Sequence, residues 1–214
     1  IMPEYKVQYF PFAGRAEPIR MLLRYGGIPF TDNRIPFDDW PKIKQSMPLK
    51  QLPTLEIDGK SIPQSIAICR YLAKIVQLAG RDGKENLKID STVETLSDLL
   101  EKLVDYAHEK RKTEKSELEE DFLNKTLPIF LSRFEEQARE NGGYIALTRL
   151  TWADIIFVCM YEDAVNFVER DIIAEYPNLL EVRENVLAVP AIKEWIQIRP
   201  KNQIHTFYDL KTDL

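Results

Sequence analysis

The sequence predicts an α/β domain over residues 1–79 and an all-helical domain over residues 87–214, joined by a linker at residues 80–86. Three observations support this fold class. Short strand-like runs alternate with amphipathic helical segments in the first part of the chain. A polar, glycine-containing segment, Ala79 to Lys84, comes next. Beyond it the apolar residues recur at helical spacing, so we expect no second sheet.

The α/β part begins with a strand, a helix and a second strand. Lys6 to Phe10 is a short strand-like run, and Ile28 to Ile35 is another. Between them, Arg15 to Tyr25 has the pattern of an amphipathic helix that ends at Gly26 and Gly27. The inward face of this helix is predicted to carry Ile19, Leu22 and Leu23.

A β-hairpin and a helix complete this part. The pair Asp58-Gly59 separates the extended runs Thr54 to Ile57 and Lys60 to Ile62, and Asp-Gly favours a type I′ turn. After Pro63, Ser65 is predicted to cap a helix. The apolar face of that helix comprises Ile66, Cys69, Leu72 and Ala73. The order βαβ-ββα with short connections is that of a thioredoxin-like domain.

The second part is predicted to form a helical bundle. Helical periodicity marks Asn86 to Lys110, Ser116 to Glu140, Thr151 to Glu169, Asn178 to Val189 and Pro190 to Ile198. The third of these segments opens with Thr151 and Asp154, which have the spacing of a capping box. We therefore expect this strongly apolar helix to be buried at the centre of the bundle, with Asp154 in a structural role.

Composition and charge exclude several classes of function. The net charge of −5 argues against a nucleic-acid-binding surface, which would be basic. No apolar run approaches the roughly 18 residues of a membrane-spanning helix, and Met2 to Lys6 lacks the features of a secretion signal. Cys69 and Cys159 lie in apolar patterns, and His108 and His205 have no further ligand at useful spacing. We expect a cytoplasmic protein without metal, membrane or nucleic-acid partners.

The segment Lys50 to Tyr71 has groups suited to hold a small peptide with a carboxylate. Pro53 lacks an N–H and precedes a strand, which leaves the backbone of Leu52 facing outward for an added strand. A helix start with free N–H groups and a serine hydroxyl favours an anion. The cysteinyl unit of glutathione could therefore pair with Leu52, and its γ-glutamyl carboxylate could reach Gln64 and Ser65. On these residues alone, a plain hairpin-to-helix connection is the alternative.

Five motifs are spread over almost the whole chain. They are Tyr5 to Phe10, Gly14 to Arg20, Asp39-Trp40-Pro41, Leu52-Pro53 with Gln64-Ser65, and Leu150 to Asp154. Together they resemble those of the cytosolic glutathione transferases, and within them the sigma class. The resemblance implies a cytoplasmic homodimer that conjugates glutathione, its co-substrate, to small hydrophobic electrophiles without a metal. Ser97 and Asp105 stand where vertebrate prostaglandin D synthases carry an acidic residue and a tryptophan, so the likeness is to the invertebrate members.

The resemblance implies that Tyr9 is the catalytic residue. A thiol with a pKa of about 8.5 is only a few per cent thiolate near pH 7, and the thiolate is the nucleophile. A hydrogen bond to a charged group contributes roughly 1.5 to 3 kcal/mol, enough to lower the thiol pKa by about one or two units. A tyrosine hydroxyl can donate such a bond. Without the downstream segment, Tyr9 would be interpreted as a packing residue of a half-buried strand.

The resemblance also implies further contacts with both substrates. Those with glutathione would come from Arg15, Trp40, Lys44, Gln51, Leu52, Pro53 in a cis peptide, Gln64, Ser65, and Asp98 of the partner subunit. Trp40, Lys44 and Gln51 would hold the glycyl end, and Asp98 would reach the γ-glutamyl amine. The electrophile pocket is expected between the domains, lined by Phe10, Arg15, Leu100, Asp105, Ile156 and Met160.

Three functions stay open. The first is a conjugating enzyme, with peroxidase activity towards lipid hydroperoxides as an addition. The second is a glutathione-dependent isomerase of the prostaglandin type. The third is a non-enzymatic, crystallin-like structural protein, against which the four methionines argue, since those relatives are methionine-rich. The end of the chain, Lys201 to Leu214, is longer than usual for the sigma class and could be a flexible tail or a partial lid.

Overall fold

The chain forms two compact units. The computed structural model describes residues 3–112 and 120–202, and among these no helix is both long and apolar enough to cross a membrane. Among the described residues, 3–78 together with 189–202 form the first unit, and those between 79 and 188 form the second. The described helices are α1 (Glu17–Tyr25), α2 (Trp40–Ile43), α3 (Ser65–Ile75), α4 (Gly83–Lys112), α5 (Leu127–Glu140), α6 (Trp152–Val168), α7 (Pro177–Leu187) and α8 (Pro190–Ile198).

A four-stranded mixed sheet organises the first unit. Its strands are β1 (Tyr5–Tyr9), β2 (Phe30–Arg34), β3 (Thr54–Ile57) and β4 (Lys60–Pro63), in the spatial order β2-β1-β3-β4. Strand β1 runs parallel to β2 and antiparallel to β3, which is antiparallel to β4. The predicted thioredoxin-like arrangement is confirmed. The hairpin turn is confirmed as well, because Asp58 and Gly59 have φ angles of +49° and +80°, and a type I′ turn requires both to be positive.

The core of this unit lies between the sheet and helices α1 and α3. Ile19, Leu22 and Leu23 of α1 are fully buried, as predicted. In α3 the predicted Cys69, Leu72 and Ala73 are fully buried, whereas Ile66 is only half-buried and Ile68 takes its place in the core. Helix α1 is preceded by a single 3-10 turn, Gly14–Ala16, which overlaps the first two residues of the predicted helix Arg15 to Tyr25.

The cap predicted for α3 is wrong by one residue. Gln64 is the N-cap, with φ +79° and ψ 92°, and Ser65 is the first helical residue. The helix therefore begins without a side-chain cap. The physical reason is the unusual backbone conformation of Gln64, which turns the chain into the helix one residue earlier than a capping serine would.

Helix α8 packs against α1 in the first unit, although it follows the helices of the second unit, α4 to α7, in the sequence. Glu17 Oε1 accepts hydrogen bonds from Trp195 Nε1 at 2.8 Å and from Arg199 Nη1 at 2.9 Å. The guanidinium of Arg24 lies 4.7 Å from the ring centroid of Trp195. The boundaries drawn from the sequence, at residues 79, 86 and 87, stay a prediction.

In the second unit, the first long helix begins earlier than predicted. Helix α4 starts at Gly83 instead of Asn86, because the Asp82 carboxylate accepts the Glu85 N–H at 2.8 Å and the Glu85 carboxylate accepts the Arg81 N–H at 2.7 Å. Such reciprocal bonds fix a helix start. Of the predicted helix Ser116 to Glu140, residues 116–119 lie outside the described residues, and the remainder includes a π-helical turn at Phe122–Thr126.

Helix α6 is the buried centre of the second unit, as predicted. Thr151 and Asp154 form the expected capping box. The Asp154 carboxylate accepts the backbone N–H of Thr151 at 2.7 Å and its hydroxyl at 2.8 Å, and it also accepts the N–H of Ile145 at 2.7 Å. Burial raises the pKa of Asp154 to about 6, although these hydrogen bonds lower it in part. Asp154 therefore holds the preceding loop as well as the helix start.

Candidate active site

Tyr9, the predicted catalytic residue, ends β1 and is buried. Its ring lies 5.5 Å from that of Phe10 and 5.0 Å from that of Phe12, centroid to centroid, and the Arg20 guanidinium lies 6.0 Å from its ring centroid. Gly14 has a φ of +47°, and a methyl group there would come within 2.8 Å of the Tyr9 hydroxyl oxygen. The Tyr9 hydroxyl therefore lies against the backbone of Gly14, a position that requires glycine.

Arg15 and Phe10 lie close to Tyr9 in the chain but differ in exposure. Arg15 is exposed on the 3-10 turn that follows Gly14, and Phe10 is half-buried. The Phe10 ring is 5.5 Å from that of Trp40, which is buried, and Lys44 Nζ lies 6.0 Å from the Trp40 ring centroid. The structure thus joins Tyr9, through Phe10, to the predicted glycyl-end residues Trp40 and Lys44.

Just before the start of β3, the chain lies outside the ladder between β1 and β3. The ladder between β1 and β3 ends at the pair Gln8 and Thr54, so Leu52 lies two residues past the last paired position. The peptide bond between Leu52 and Pro53 is cis, as the resemblance implied. Gln51, next to it, is exposed. This edge can accept a short peptide in the manner of strand addition.

The start of α3 is a second polar feature of the same unit. Gln64 is exposed, Ser65 is half-exposed, and the first turn contains no acidic residue. The first N–H groups of a helix have no acceptor within the helix and, with the helix dipole, favour an anion. A positive φ at a residue other than glycine is costly and is concentrated at functional sites. The predicted carboxylate position is thus chemically suited to an anion.

The remaining predicted site residues lie in the second unit. Asp98 and Asp105 are exposed and Leu100 is half-buried on α4, while Ile156 and Met160 are buried on α6, four residues apart and hence on one face. Within the described residues no cluster of His, Cys, Asp or Glu could hold a metal ion. The roles of these five residues stay predictions.

A buried charged group near Tyr9 was missed by sequence reasoning. Arg20 is fully buried, and its Nη1 donates to the carbonyl oxygens of Phe12 at 3.1 Å and Ala13 at 3.3 Å and to the Glu17 carboxylate at 3.1 Å. Its Nε donates to Asp32 at 2.8 Å. The spacing of Glu17 and Arg20, three residues apart on a helix, was a usable signal.

Sequence comparison decides the family. The profile of the glutathione S-transferase N-terminal domain matches residues 5–74, and that of the C-terminal domain matches residues 97–199. The chain belongs to the glutathione S-transferase family. Members of this family use glutathione as co-substrate, and the relatives below support glutathione transferase activity for the chain.

Three relatives show the range of the similarity. A glutathione S-transferase of Anopheles gambiae is 39% identical over 95% of this chain and 100% of its own length. A hematopoietic prostaglandin D synthase of Gallus gallus is 38% identical, with coverage of 95% and 100%. The structure of prostaglandin synthase D of Nilaparvata lugens is 40% identical, with a TM-score of 0.87 and coverage of 93% of this chain and 100% of that one. Both transferases and prostaglandin synthases are therefore among its relatives.

Proposed function

We propose that this enzyme is a cytoplasmic, sigma-class glutathione transferase that activates the glutathione thiol through Tyr9 and conjugates the thiolate to hydrophobic electrophiles. The observation that carries the proposal is the position of the Tyr9 hydroxyl against Gly14. It lies in the same unit as Leu52, which is outside the ladder between β1 and β3, and as the start of α3, which has no side-chain cap. These three features match the thiol, the cysteinyl backbone and the γ-glutamyl carboxylate of one glutathione molecule.

The surroundings of Tyr9 support its role as a hydrogen-bond donor to sulfur. Phe10 and Phe12 pack on its ring, and a hydrogen bond is electrostatically stronger beside apolar groups than in water. This effect stabilises the thiolate over the thiol, which lowers the thiol pKa towards neutrality.

Glutathione itself is proposed to be held along its length. The backbone of Leu52, next to Pro53, pairs with the cysteinyl unit, and Gln64 and Ser65 bind the γ-glutamyl carboxylate. Trp40, Lys44 and Gln51 hold the glycyl carboxylate, and Arg15 stabilises negative charge near the sulfur. In a homodimer, the partner subunit's Asp98 binds the γ-glutamyl amine. Cross-linking and analytical ultracentrifugation test whether the enzyme is a dimer. An enzyme that is monomeric and fully active would contradict this part of the proposal.

The second substrate is proposed to be small, hydrophobic and electrophilic. The residues proposed to contact it are Phe10, Arg15, Leu100, Asp105, Ile156 and Met160. A lipid hydroperoxide would fit the same chemical description, so we include peroxidase activity in the proposal. Rates with a haloaromatic, an unsaturated aldehyde and a lipid hydroperoxide would rank these classes.

A prostaglandin-type isomerase is the second candidate, because relatives bear that name. Ser97 and Asp105 argue against it. The Ser97 hydroxyl donates to the carbonyl of Val93 at 3.0 Å and provides no charge, while Asp105 places an exposed carboxylate where an aromatic residue would otherwise lie. If prostaglandin H2 were turned over faster than the haloaromatic, the isomerase would become the first candidate and the conjugating transferase the second.

The role of Tyr9 is tested by the variant Tyr9→Phe, which removes only the hydroxyl. Thiolate absorbance of bound glutathione across pH should show a thiol pKa higher by about one to two units, since a hydrogen bond to a charged group is lost. Turnover near pH 7 should fall about 10- to 100-fold. The affinity for glutathione should change little, because the rest of the molecule is held elsewhere.

Tyr5 offers a matched control on the same strand. Tyr5 precedes Tyr9 by four residues, and its hydroxyl oxygen lies 3.2 Å from that of Tyr71. Tyr5→Phe therefore removes a tyrosine hydroxyl from the same strand without touching the proposed site, and it should leave the thiol pKa unchanged. If Tyr9→Phe behaved like Tyr5→Phe, Tyr9 would not be the thiol-activating residue.

A further inference from the structure

The loop between Tyr9 and Arg15 is bound by a residue from the far end of the chain. The backbone N–H of Ala13 donates a hydrogen bond to Asn202 Oδ1 at 3.1 Å. The Ala13 carbonyl accepts from Arg20 Nη1 at 3.3 Å. The backbone N–H and the backbone carbonyl of Ala13 are thereby both held, the carbonyl by helix α1 and the N–H by the segment that follows α8.

The segment that carries Asn202 is itself firmly attached to α1. Glu17 is 1% exposed, and its carboxylate binds Trp195, Arg199 and Arg20. Arg199, which is bound to Glu17, precedes Asn202 by only three residues.

The consequence of this attachment reaches Tyr9 through Gly14. Ala13 directly precedes Gly14, whose Cα hydrogens face the Tyr9 hydroxyl with no room for a methyl group. A displacement of the Ala13 peptide by a few tenths of an ångström would either press on that hydroxyl or release it. Hydrogen-bond strength depends steeply on geometry, so the donor to sulfur would weaken.

We infer that Asn202 is a positioning residue for thiol activation, acting through the backbone of Ala13 and Gly14 on the Tyr9 hydroxyl. The inference rests on the proposed role of Tyr9. Residues Trp195 to Asn202 then belong to the glutathione-activating machinery, although they lie about 190 positions from Tyr9 in the sequence. Asn202 touches neither substrate, and its effect is on the geometry of the donor.

The variant Asn202→Leu tests the inference, because leucine has a similar size and no acceptor. Thiolate absorbance should show that the pKa of bound glutathione rises by about 0.5, and kcat/KM at pH 6.5 should fall about threefold. At a pH above both thiol pKa values the rates should converge, since the thiol is then ionised in both proteins. Asn202→Gln, which keeps an amide oxygen, should recover most of the loss.

Asn185→Leu is the matched control in the second unit. Asn185 Nδ2 donates to the carbonyl of Gly143 at 2.9 Å, so this variant loses one side-chain bond to the backbone far from Tyr9 in the sequence. It should lower the melting temperature and leave the pH profile unchanged. A stability effect alone cannot shift a thiol pKa, so the pH profile separates positioning from mere packing.

The outcomes distinguish two failures. If Tyr9→Phe raises the thiol pKa and Asn202→Leu does not, the inference about Asn202 is overturned while the role of Tyr9 stands. If Tyr9→Phe has no effect on the thiol pKa, the proposed role of Tyr9 is wrong and the inference falls with it. An Asn202→Gln protein as impaired as Asn202→Leu would also overturn the inference, because the acceptor would then be irrelevant.

Discussion

Two helix starts in this protein are completed in opposite ways. At α6 the Asp154 carboxylate accepts three hydrogen bonds and is fully buried, so the chain supplies its own anion. At α3 there is no side-chain cap and no acidic residue in the first turn, and Gln64 adopts a φ of +79°. The start of α6 is thus completed by a carboxylate of the chain itself, whereas the first N–H groups of α3 favour an anion and are proposed to bind the carboxylate of glutathione.

Two other helices of the second unit follow the α6 pattern. Asp82 and Glu85 complete the start of α4. At α7 the Glu135 side chain of α5 accepts the backbone N–H groups of Asn178 at 3.1 Å and Leu179 at 3.0 Å. A carboxylate from the protein is therefore the usual solution there, and α3 lacks one where the glutathione carboxylate is proposed to bind.

The largest expected effect comes from removing the anion at α6. Asp154→Ala leaves three buried donors without an acceptor, and we expect a loss of about 3 kcal/mol in the free energy of unfolding. Urea denaturation measures it. Asp82→Ala, at an exposed helix start, should cost only about 1 kcal/mol. Equal losses in both variants would contradict the distinction between a buried and an exposed cap.

The second expected effect is a pH dependence specific to α6. Burial raises the pKa of Asp154 in the folded protein to about 6, above its unfolded value of about 3.9. The folded state therefore binds the proton more tightly, and this contribution to stability is fully present below about pH 4 and lost as pH rises through about 6. Compared with Asp154→Asn, the wild type should lose about 2 kcal/mol between pH 4 and pH 7. Urea denaturation of both proteins at each pH measures this. If their free energies of unfolding changed in parallel between pH 4 and pH 7, the raised pKa of Asp154 would be refuted.

The third effect tests whether α3 can be made to resemble α6. Ser65→Asp places a carboxylate at the start of α3, where the dipole should stabilise it by about 0.5 kcal/mol. The same charge repels the γ-glutamyl carboxylate, so the affinity for glutathione should fall at least about tenfold. Isothermal titration and thermal melting measure the two quantities.

Ser65→Ala is the control for that variant, since it removes the hydroxyl without adding charge. It should weaken glutathione binding by a smaller factor, about threefold, with little change in stability. A Ser65→Asp enzyme that binds glutathione as tightly as the wild type would place the carboxylate site elsewhere.

The elements of this fold that could be predicted are those with a local signal. The Asp58-Gly59 turn, the buried face of α1 and the Thr151 and Asp154 box each lie within one or two turns of chain. The start of α4 had such a signal in Asp82 and Glu85, which was missed. Gln64 shows the limit, because its backbone conformation follows from the surrounding fold and leaves no pattern in the sequence.

The candidate site, too, contains some features with a local signal in the sequence and others without one. Tyr9 and the Gly14 to Arg20 motif were recognisable in the sequence, whereas the contact of the Tyr9 hydroxyl with Gly14 depends on packing. The bonds from Glu17 to Trp195 and from Ala13 to Asn202 join residues 178 and 189 positions apart. Pairings over such distances have no periodic signal, so only a three-dimensional structure shows them.

The three tryptophans of the chain are distributed so that each reports on a different event. Trp40 lies between Phe10 and Lys44, Trp152 opens α6, and Trp195 donates to Glu17 beneath Arg24. Replacing two of them at a time with phenylalanine would give single-tryptophan proteins. The emission of Trp40 would follow binding at the proposed glutathione site, that of Trp152 would follow unfolding of the second unit, and that of Trp195 would follow detachment of α8. The molecule thus carries its own set of optical probes, and no label needs to be attached.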